Sequence, residues 1–328
     1  MTVRRIPAEC VLPLRWTSDD DLDDLTDYLR ELSGWIDVTI VDGSSADLFA
    51  THADAWAGLA RHVPLAPGLL TAENGKVSGV LTGIAAARHD SVVIADDDVR
   101  YTEGSLRAVV AELDEAELVK PQNVFEPLPW HARWDTARSL LNRAFGSDYP
   151  GTYAVRRRLL VRTGGYDGDC LFENLELERT VRAAGGRVRD LPGLFVARRP
   201  ASLGHFRAQR VRQAYESFAQ PAWLFAEAAV VPAVLCARRR PLVLVAAVSV
   251  IVVLAEFGRR RHGGRTVFPA TAALWAPLWL LERGTCTWIA IARRLRGGIR
   301  YGGHRLSLAA NPQRRIRARL ERLASDQP

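Results

Sequence analysis

The sequence predicts an α/β fold, a mixed-sheet domain over residues 1–205 followed by a small C-terminal helical membrane module. Three observations carry that expectation. Short apolar runs alternate with amphipathic stretches over residues 9–200, the pattern of a βαβ domain. One such run, Ser91-Val92-Val93-Ile94-Ala95, ends on three consecutive carboxylates, Asp96-Asp97-Asp98, where open α/β sheets bind their ligands. From about Pro221 to Ala292 the composition turns strongly apolar, and beyond that it turns basic.

The elements follow in order. Glu9–Leu14 reads as a first strand. Leu22, Leu25, Tyr28, Leu29 and Leu32 recur at helical spacing, and Gly34 ends that helix. Val38–Val41 is a second strand with Asp42-Gly43-Ser44-Ser45 at its carboxyl end. Asn74-Gly75 opens a helix of small residues through Ala87, the strand Ser91–Ala95 follows, and Glu117–Lys120 is another strand. Residues 206–220 form an interface helix. Three apolar segments occupy 221–292: Ala222–Ala237, Pro241–Phe257 and Val267–Leu281. Each falls short of the ~20 residues that cross a bilayer comfortably, so interfacial or buried helices are the alternative. Arg238-Arg239-Arg240 and Arg259-Arg260-Arg261 bracket the middle segment as headgroup contacts would, and Trp223, Trp275, Trp279 and Trp288 suit an interfacial belt.

Hydrophobic residues at 48% and charged residues at 25% exclude a disordered chain. The net charge of +7 is concentrated in the tail, residues 293–328, where ten arginines face Glu321 and Asp326. That tail suits a membrane with anionic lipids. It lacks the aromatic interleaving of a nucleic-acid module, so nucleic acid is not an expected partner. Cys10, Cys170, Cys236 and Cys286 show no metal or redox spacing. The start, Met1-Thr2-Val3-Arg4-Arg5, precedes no apolar core of signal-peptide length, so no cleaved export signal is expected. By the positive-inside bias the tail and the α/β domain lie on the cytoplasmic side of the cell (inner) membrane, which requires an even number of crossings.

Several constellations carry chemistry. Asp96 and Asp98, at i and i+2, can share a divalent cation with a diphosphate, since Mg²⁺ and Mn²⁺ prefer oxygen ligands. Lys76 at a helix start makes an anion site with the backbone N–H groups there, while Gly79 and Gly83 equally permit close packing on the sheet. The chain has only one other lysine, Lys120. Glu173 and Glu176 lie on one helical face, where a carboxylate can act as general base or simply complement the helix dipole. Gln209 and Arg212 are one turn apart, and arginine stabilises a leaving diphosphate through its forked donors.

In this order, Asp42, Gly75-Lys76 with Gly79, Asp96-x-Asp98, Gly164-Gly165-Tyr166-Asp167, Glu173-Asn174-Leu175-Glu176-Leu177 and Gln209-x-x-Arg212 resemble family 2 glycosyltransferases of the GT-A (Rossmann-like) fold. The apolar segments after the last motif, with Gly298-Ile299-Arg300-Tyr301-Gly302-Gly303, resemble the membrane-bound ceramide-glucosyltransferase-like branch. The resemblance implies an inverting transfer that uses a UDP- or GDP-sugar, a divalent metal (Mn²⁺ or Mg²⁺) and a lipid or lipid-linked hydroxyl acceptor. It assigns Asp42 to the base or ribose, Lys76 to the nucleotide, Asp96 to ribose or metal, Asp98 to the metal, and Gln209 and Arg212 to the diphosphate.

Two positions depart from the family pattern. Asn174 stands where the family commonly has the aspartate base, so Glu173, with Glu176 second, is the expected base. Gln213 replaces a tryptophan that would stack on the acceptor, with Tyr215, Phe218 or Trp223 nearby. A processive polysaccharide synthase and a sugar-nucleotide-binding scaffold without turnover are the alternatives.

Overall fold

The computed structural model describes residues 5–69, 73–301 and 303–325. Met1–Arg4, read above for an export signal, Gly302 of the glycine-aromatic segment and Asp326 of the tail lie outside them. In chain order the elements are β1 (Glu9–Leu14), α1 (Leu22–Trp35), β2 (Asp37–Asp42), α2 (Ala46–Ala55), β3 (Arg61–Pro64), α3 (Gly75–Ala86), β4 (Ser91–Ala95), β5 (Val99–Arg100), α4 (Glu103–Ala111) and β6 (Leu118–Phe125). There follow α5 (Trp130–Phe145), β7 (Thr152–Arg156), α6 (Arg157–Arg162), α7 (Glu173–Ala183), β8 (Val188–Arg198), α8 (Leu203–Glu216), α9 (Pro221–Ala237) and α10 (Pro241–Arg260). The last are α11 (Ala276–Leu295), β9 (Ile299–Tyr301), β10 (His304–Leu306) and α12 (Gln313–Ser325).

The chain divides into two compact units. The first comprises Met1–Asn123, Tyr149–Ala197 and Asn311–Pro328, the second Val124–Asp148 and Arg198–Ala310. This departs from a boundary at residue 205: α5 belongs with the later helices, and the C-terminal stretch returns to the α/β unit.

The first unit is built on a sheet of order β3-β2-β1-β4-β7-β6-β8-β5. β1 runs parallel to β2 and β4, and β2 parallel to β3, whereas β7 is antiparallel to both β4 and β6. Strand alternation divides the core between the two faces. Cys10, Leu12, Leu14, Val93 and Ala95 join Leu25, Leu29 and Leu32 of α1 and Leu106 and Val109 of α4 in one cluster. Val11, Val92 and Ile94 join Val77, Val80 and Ile84 of α3 with Leu177 and Val181 of α7 in the other. Gly79 and Gly83 of α3 are packing residues. A Cβ on Gly83 would lie 2.2 Å from Val11 Cγ1, and one on Gly79 2.8 Å from Pro13 Cβ, so α3 rests directly on β1.

In the second unit α10 packs along α5, and a Cβ on Gly258 would fall 1.9 Å from the Leu140 carbonyl oxygen. The two helices cap each other's carboxyl ends. Buried Arg143 of α5 donates to the carbonyls of Gly258 and Arg261, and Arg261 donates to those of Arg143 and Ala144. The apolar run Val267–Leu281 is not one helix: it turns through a 3-10 stretch, Ala270–Trp275, into α11. Glu282 and Arg283 then lie on the inner side of α11, where Glu282 accepts from Arg210 (2.7 Å) and Trp134 (2.6 Å). Among the described residues only the segment beginning with α10 is long and apolar enough to cross a membrane, and 11% of its apolar window is buried, unlike a soluble core helix. Leu242, Val245, Val248, Val250, Val253 and Phe257 are exposed along it.

The basic tail is more ordered than a loose polybasic segment. α12 packs on α7, Ile316 is buried, and Arg319 donates to the Gly165 carbonyl (3.2 Å).

Candidate active site

The carboxyl end of β4 carries Asp96, Asp97 and Asp98, all partly exposed. The local backbone holds them in a turn: Asp96 N–H donates to Gly151 O (2.8 Å) and Val99 N–H to Asp96 O (3.1 Å). Their side chains have different partners. Asp97 accepts from the Trp16 indole N–H, and Trp16 N–H in turn donates to Ser44 Oγ (2.8 Å), which ties the turns after β1, β2 and β4 together.

Lys76 stands at the start of α3, whose first turn is capped by the Asn74 side chain accepting from Lys76 N–H (3.2 Å). Its ammonium lies 2.6 Å from Asp96 Oδ1 and 2.9 Å from Glu173 Oε1, so one cation joins the aspartate turn to the start of α7. Burial works against that charge, but Asp96 and Glu173 outweigh it and hold Lys76 well above the usual lysine range. The donors of Asp96 and Asp98 are all oxygens, as Mg²⁺ and Mn²⁺ prefer. On donor chemistry, Asp96 and Asp98 fit the expected metal.

Two expected site residues are engaged otherwise. Glu176 is fully buried, with its Oε2 accepting from Asn311 N–H (2.7 Å) and its Oε1 from Asn311 Nδ2 (3.0 Å). Burial pushes its carboxyl up, though the Asn311 bonds oppose the shift. A carboxylate sealed in this way has no access to an acceptor hydroxyl, and the face shared with Glu173 does not make the two equivalent. Asp42, at the end of β2, is also buried: it accepts from His52 Nδ1 (2.6 Å), His62 Nε2 (3.0 Å) and Ser44 N–H (2.8 Å). Burial raises its carboxyl, but the bonds from His62, Ser44 and His52 prevail and hold it far below the usual range. Direct contact between Asp42 and a nucleotide requires one of these partners to leave.

Asn174 donates to the Pro150 carbonyl (3.2 Å) and so anchors α7 at its first turn. Gln209 and Arg212 lie in the second unit on α8, with Arg212 Nη2 3.4 Å from Gln209 Oε1 and its guanidinium over the Tyr301 ring. Their neighbour Arg210 is a bundle residue, paired with Asp135 (2.6 Å) and Glu282 (2.7 Å). Lys120, the second lysine, is buried between Glu178 and Asp190 at 3.0 Å each. Both lysines thus bridge two carboxylates, a task for a compact charge rather than a planar fork. Sequence reasoning missed His52, His62, Trp16 and Asn311. They belong to separate elements, and no spacing links them.

In this mixed α/β domain Lys76 joins Asp96, at the carboxyl end of β4, to Glu173, at the start of α7. The chain belongs to glycosyltransferase-like family 2, whose profile matches residues 38–216. Among solved structures it is similar to a mannosyltransferase from Pyrobaculum calidifontis in complex with GDP-Man and Mn²⁺, at 18% identity, covering 99% of this chain and 87% of that one with a TM-score of 0.48. It is similar as well to a mycobacterial protein (23% identity, 63% of this chain, 72% of that one, TM-score 0.45). A third is glucosyl-3-phosphoglycerate synthase from Mycobacterium tuberculosis in complex with Mn²⁺ and UDP-glucose (22% identity, 61% and 74%, TM-score 0.43). No curated protein matches the chain closely.

Proposed function

We propose that this glycosyltransferase moves a sugar, with inversion, from a UDP- or GDP-sugar to a lipid or lipid-linked hydroxyl at the cytoplasmic face of the cell membrane. The observation that carries the reading is the Lys76 bridge between Asp96 and Glu173, which holds a partly exposed carboxylate beside the aspartate turn. Glu173 is the general base. It takes the proton of the acceptor hydroxyl as that oxygen bonds to the anomeric carbon and the carbon–oxygen bond to the diphosphate breaks on the opposite side. Lys76 fixes the Glu173 carboxylate through their ion pair at 2.9 Å. A divalent cation on Asp96 and Asp98, when bound, supplies charge neutralisation to the leaving diphosphate. The donor chemistry of Gln209 and Arg212 suits a diphosphate.

The membrane part of the proposal rests on α10. Its exposed apolar side suits lipid, and because α12 after it packs on α7 before it, α10 lies in the interface or crosses together with a second apolar segment. Arg238–Arg240 precede it and Arg259–Arg261 end or follow it. A place in the ceramide-glucosyltransferase-like branch rests on the same helices, which follow Gln209 and Arg212 in the chain.

The test is transfer by purified protein in lipid nanodiscs, with UDP- and GDP-sugars, Mn²⁺ or Mg²⁺ and host lipid extract. Product that requires metal and is lost in both Glu173→Gln and Asp98→Asn is the expected result. Full activity in Glu173→Gln would remove Glu173 as base, and saturable donor binding without product across the panel would replace the enzyme with a sugar-nucleotide-binding protein.

A further inference from the structure

Apart from the carboxylates of β4, three ligating side chains from three elements converge at the carboxyl end of β2. Asp42 Oδ2, His52 Nδ1 from α2 and His62 Nε2 from β3 all lie within 4.8 Å of one another. The His52 and Asp42 side chains are fully buried, and that of His62 is 7% exposed. We propose that Asp42, His52 and His62 form a second metal site, specific for a borderline transition ion of the zinc class and distinct from the oxygen-only set of Asp96 and Asp98.

Four features support the site. The first is convergence: both imidazoles aim at one carboxylate oxygen, at 2.6 and 3.0 Å. Bonds of about 2.0–2.1 Å to zinc separate tetrahedral ligand atoms by roughly 3.4 Å, so the two pairs with Asp42 open by less than about 1 Å and the imidazole nitrogens, within 4.8 Å of each other, close by at most about 1.4 Å. The second is the outer shell. His52 Nε2 lies 3.0 Å from Asp19 Oδ1, the carboxylate–histidine arrangement that fixes the tautomer of a ligating imidazole. The third is charge. Ligation takes the imidazoles in neutral form, and a divalent cation then balances the carboxylates of Asp42 and Asp19. The fourth is enclosure: Trp56 stacks on His52 (4.7 Å), Phe49 stacks on His62 (4.1 Å) and Trp16 meets His52 edge-on (5.3 Å).

Ligation requires bare Nδ1 on His52 and bare Nε2 on His62, so any proton on these atoms moves to the other ring nitrogen or leaves to solvent as the ion enters. His52 keeps its remaining proton on Nε2, where Asp19 accepts it, and His62 keeps its own on Nδ1. Two nitrogens and one carboxylate oxygen favour zinc, cobalt, nickel or copper over magnesium or calcium. Three protein ligands leave the fourth tetrahedral position to a water molecule. The role that follows is positional, because Asp42 Oδ1 holds Ser44 N–H, Ser44 Oγ holds Trp16 N–H, and the Trp16 indole holds Asp97. An ion at Asp42 would thereby brace the aspartate turn.

The proposal is independent of the sugar-transfer reading and is tested without measuring activity. Chelator-stripped full-length protein is titrated with Co²⁺, then with Zn²⁺, and bound metal is counted after dialysis. The expected result is the visible absorption of a tetrahedral cobalt site, displaced by Zn²⁺, with about one equivalent belonging to that band. Binding should weaken at least tenfold in His52→Gln/His62→Gln and stay unchanged in Asp98→Asn. No cobalt band and no retained zinc in wild type would overturn the proposal, even if the double variant failed to fold. Binding lost in Asp98→Asn but kept in the double variant would overturn it too.

Discussion

Replacing Asn311 by Ala tests how the C-terminal stretch seals α7. The Asn311 side chain donates to Glu176 Oε1 (3.0 Å) and Asp167 Oδ2 (2.7 Å), while its main-chain N–H keeps Glu176 Oε2 (2.7 Å). Hydrogen bonds to charged groups contribute about 1.5–3 kcal/mol each. Asp167 is partly exposed and can turn to water, whereas Glu176 is fully buried and cannot. Among the described residues the buried Asn311 Oδ1 has no hydrogen-bond partner, so the truncation also removes an unsatisfied carbonyl and recovers roughly 1 kcal/mol. The net loss expected at neutral pH is about 2 kcal/mol, or a Tm lower by roughly 4–8 °C for a domain of this size.

The loss should depend on pH in a definite direction. Glu176 is raised in the folded state, first by burial. Its contribution is therefore fully present below the ordinary carboxyl pKa and is lost as pH rises through the folded value. The variant removes a bond that opposes the upward shift, so its deficit is largest at pH 8 and shrinks toward pH 5. Urea unfolding of both proteins at the two pH values measures it. A deficit equal at both, or below about 0.5 kcal/mol at pH 8, would refute the reasoning.

Further expectations concern the lysine triad, the sheet and α10. Lys120→Met leaves Glu178 and Asp190 without their shared cation, and a loss of about 3–5 kcal/mol in urea unfolding is expected. Gly83→Ala drives a methyl to 2.2 Å from Val11 Cγ1, and should cost about 1–3 kcal/mol by the same assay. Val248→Asp and Val253→Asp place charge on the exposed apolar side of α10. Each should reduce flotation with liposomes while leaving far-ultraviolet circular dichroism unchanged, and undiminished flotation would count against membrane insertion of α10.

Much of the local architecture was legible in the chain. Glu9–Leu14 and Ser91–Ala95 are strands with the expected ends, α3 starts after Asn74, and α7 starts at Glu173. These are effects of near neighbours: β-branched runs, side-chain caps and apolar spacing act within a few residues. For the same reason α10 was visible as an apolar segment. The third segment misled because hydropathy alone does not show which side a charge faces. Glu282 and Arg283 read as an interruption, whereas α11 turns them inward, with Glu282 held by Arg210 and Trp134.

The sequence by itself determined the element types, the acidic turn after β4 and the family pattern, because those depend on residue order. Only the tertiary structure decided which polar groups became partners. It brought Lys76 to both Asp96 and Glu173, sealed Glu176 with Asn311 from 135 positions away, and turned Asp42 toward His52 and His62. A buried charge must find a counter-charge or a donor wherever the fold supplies one. That choice follows from distance in space, which no spacing along the chain records.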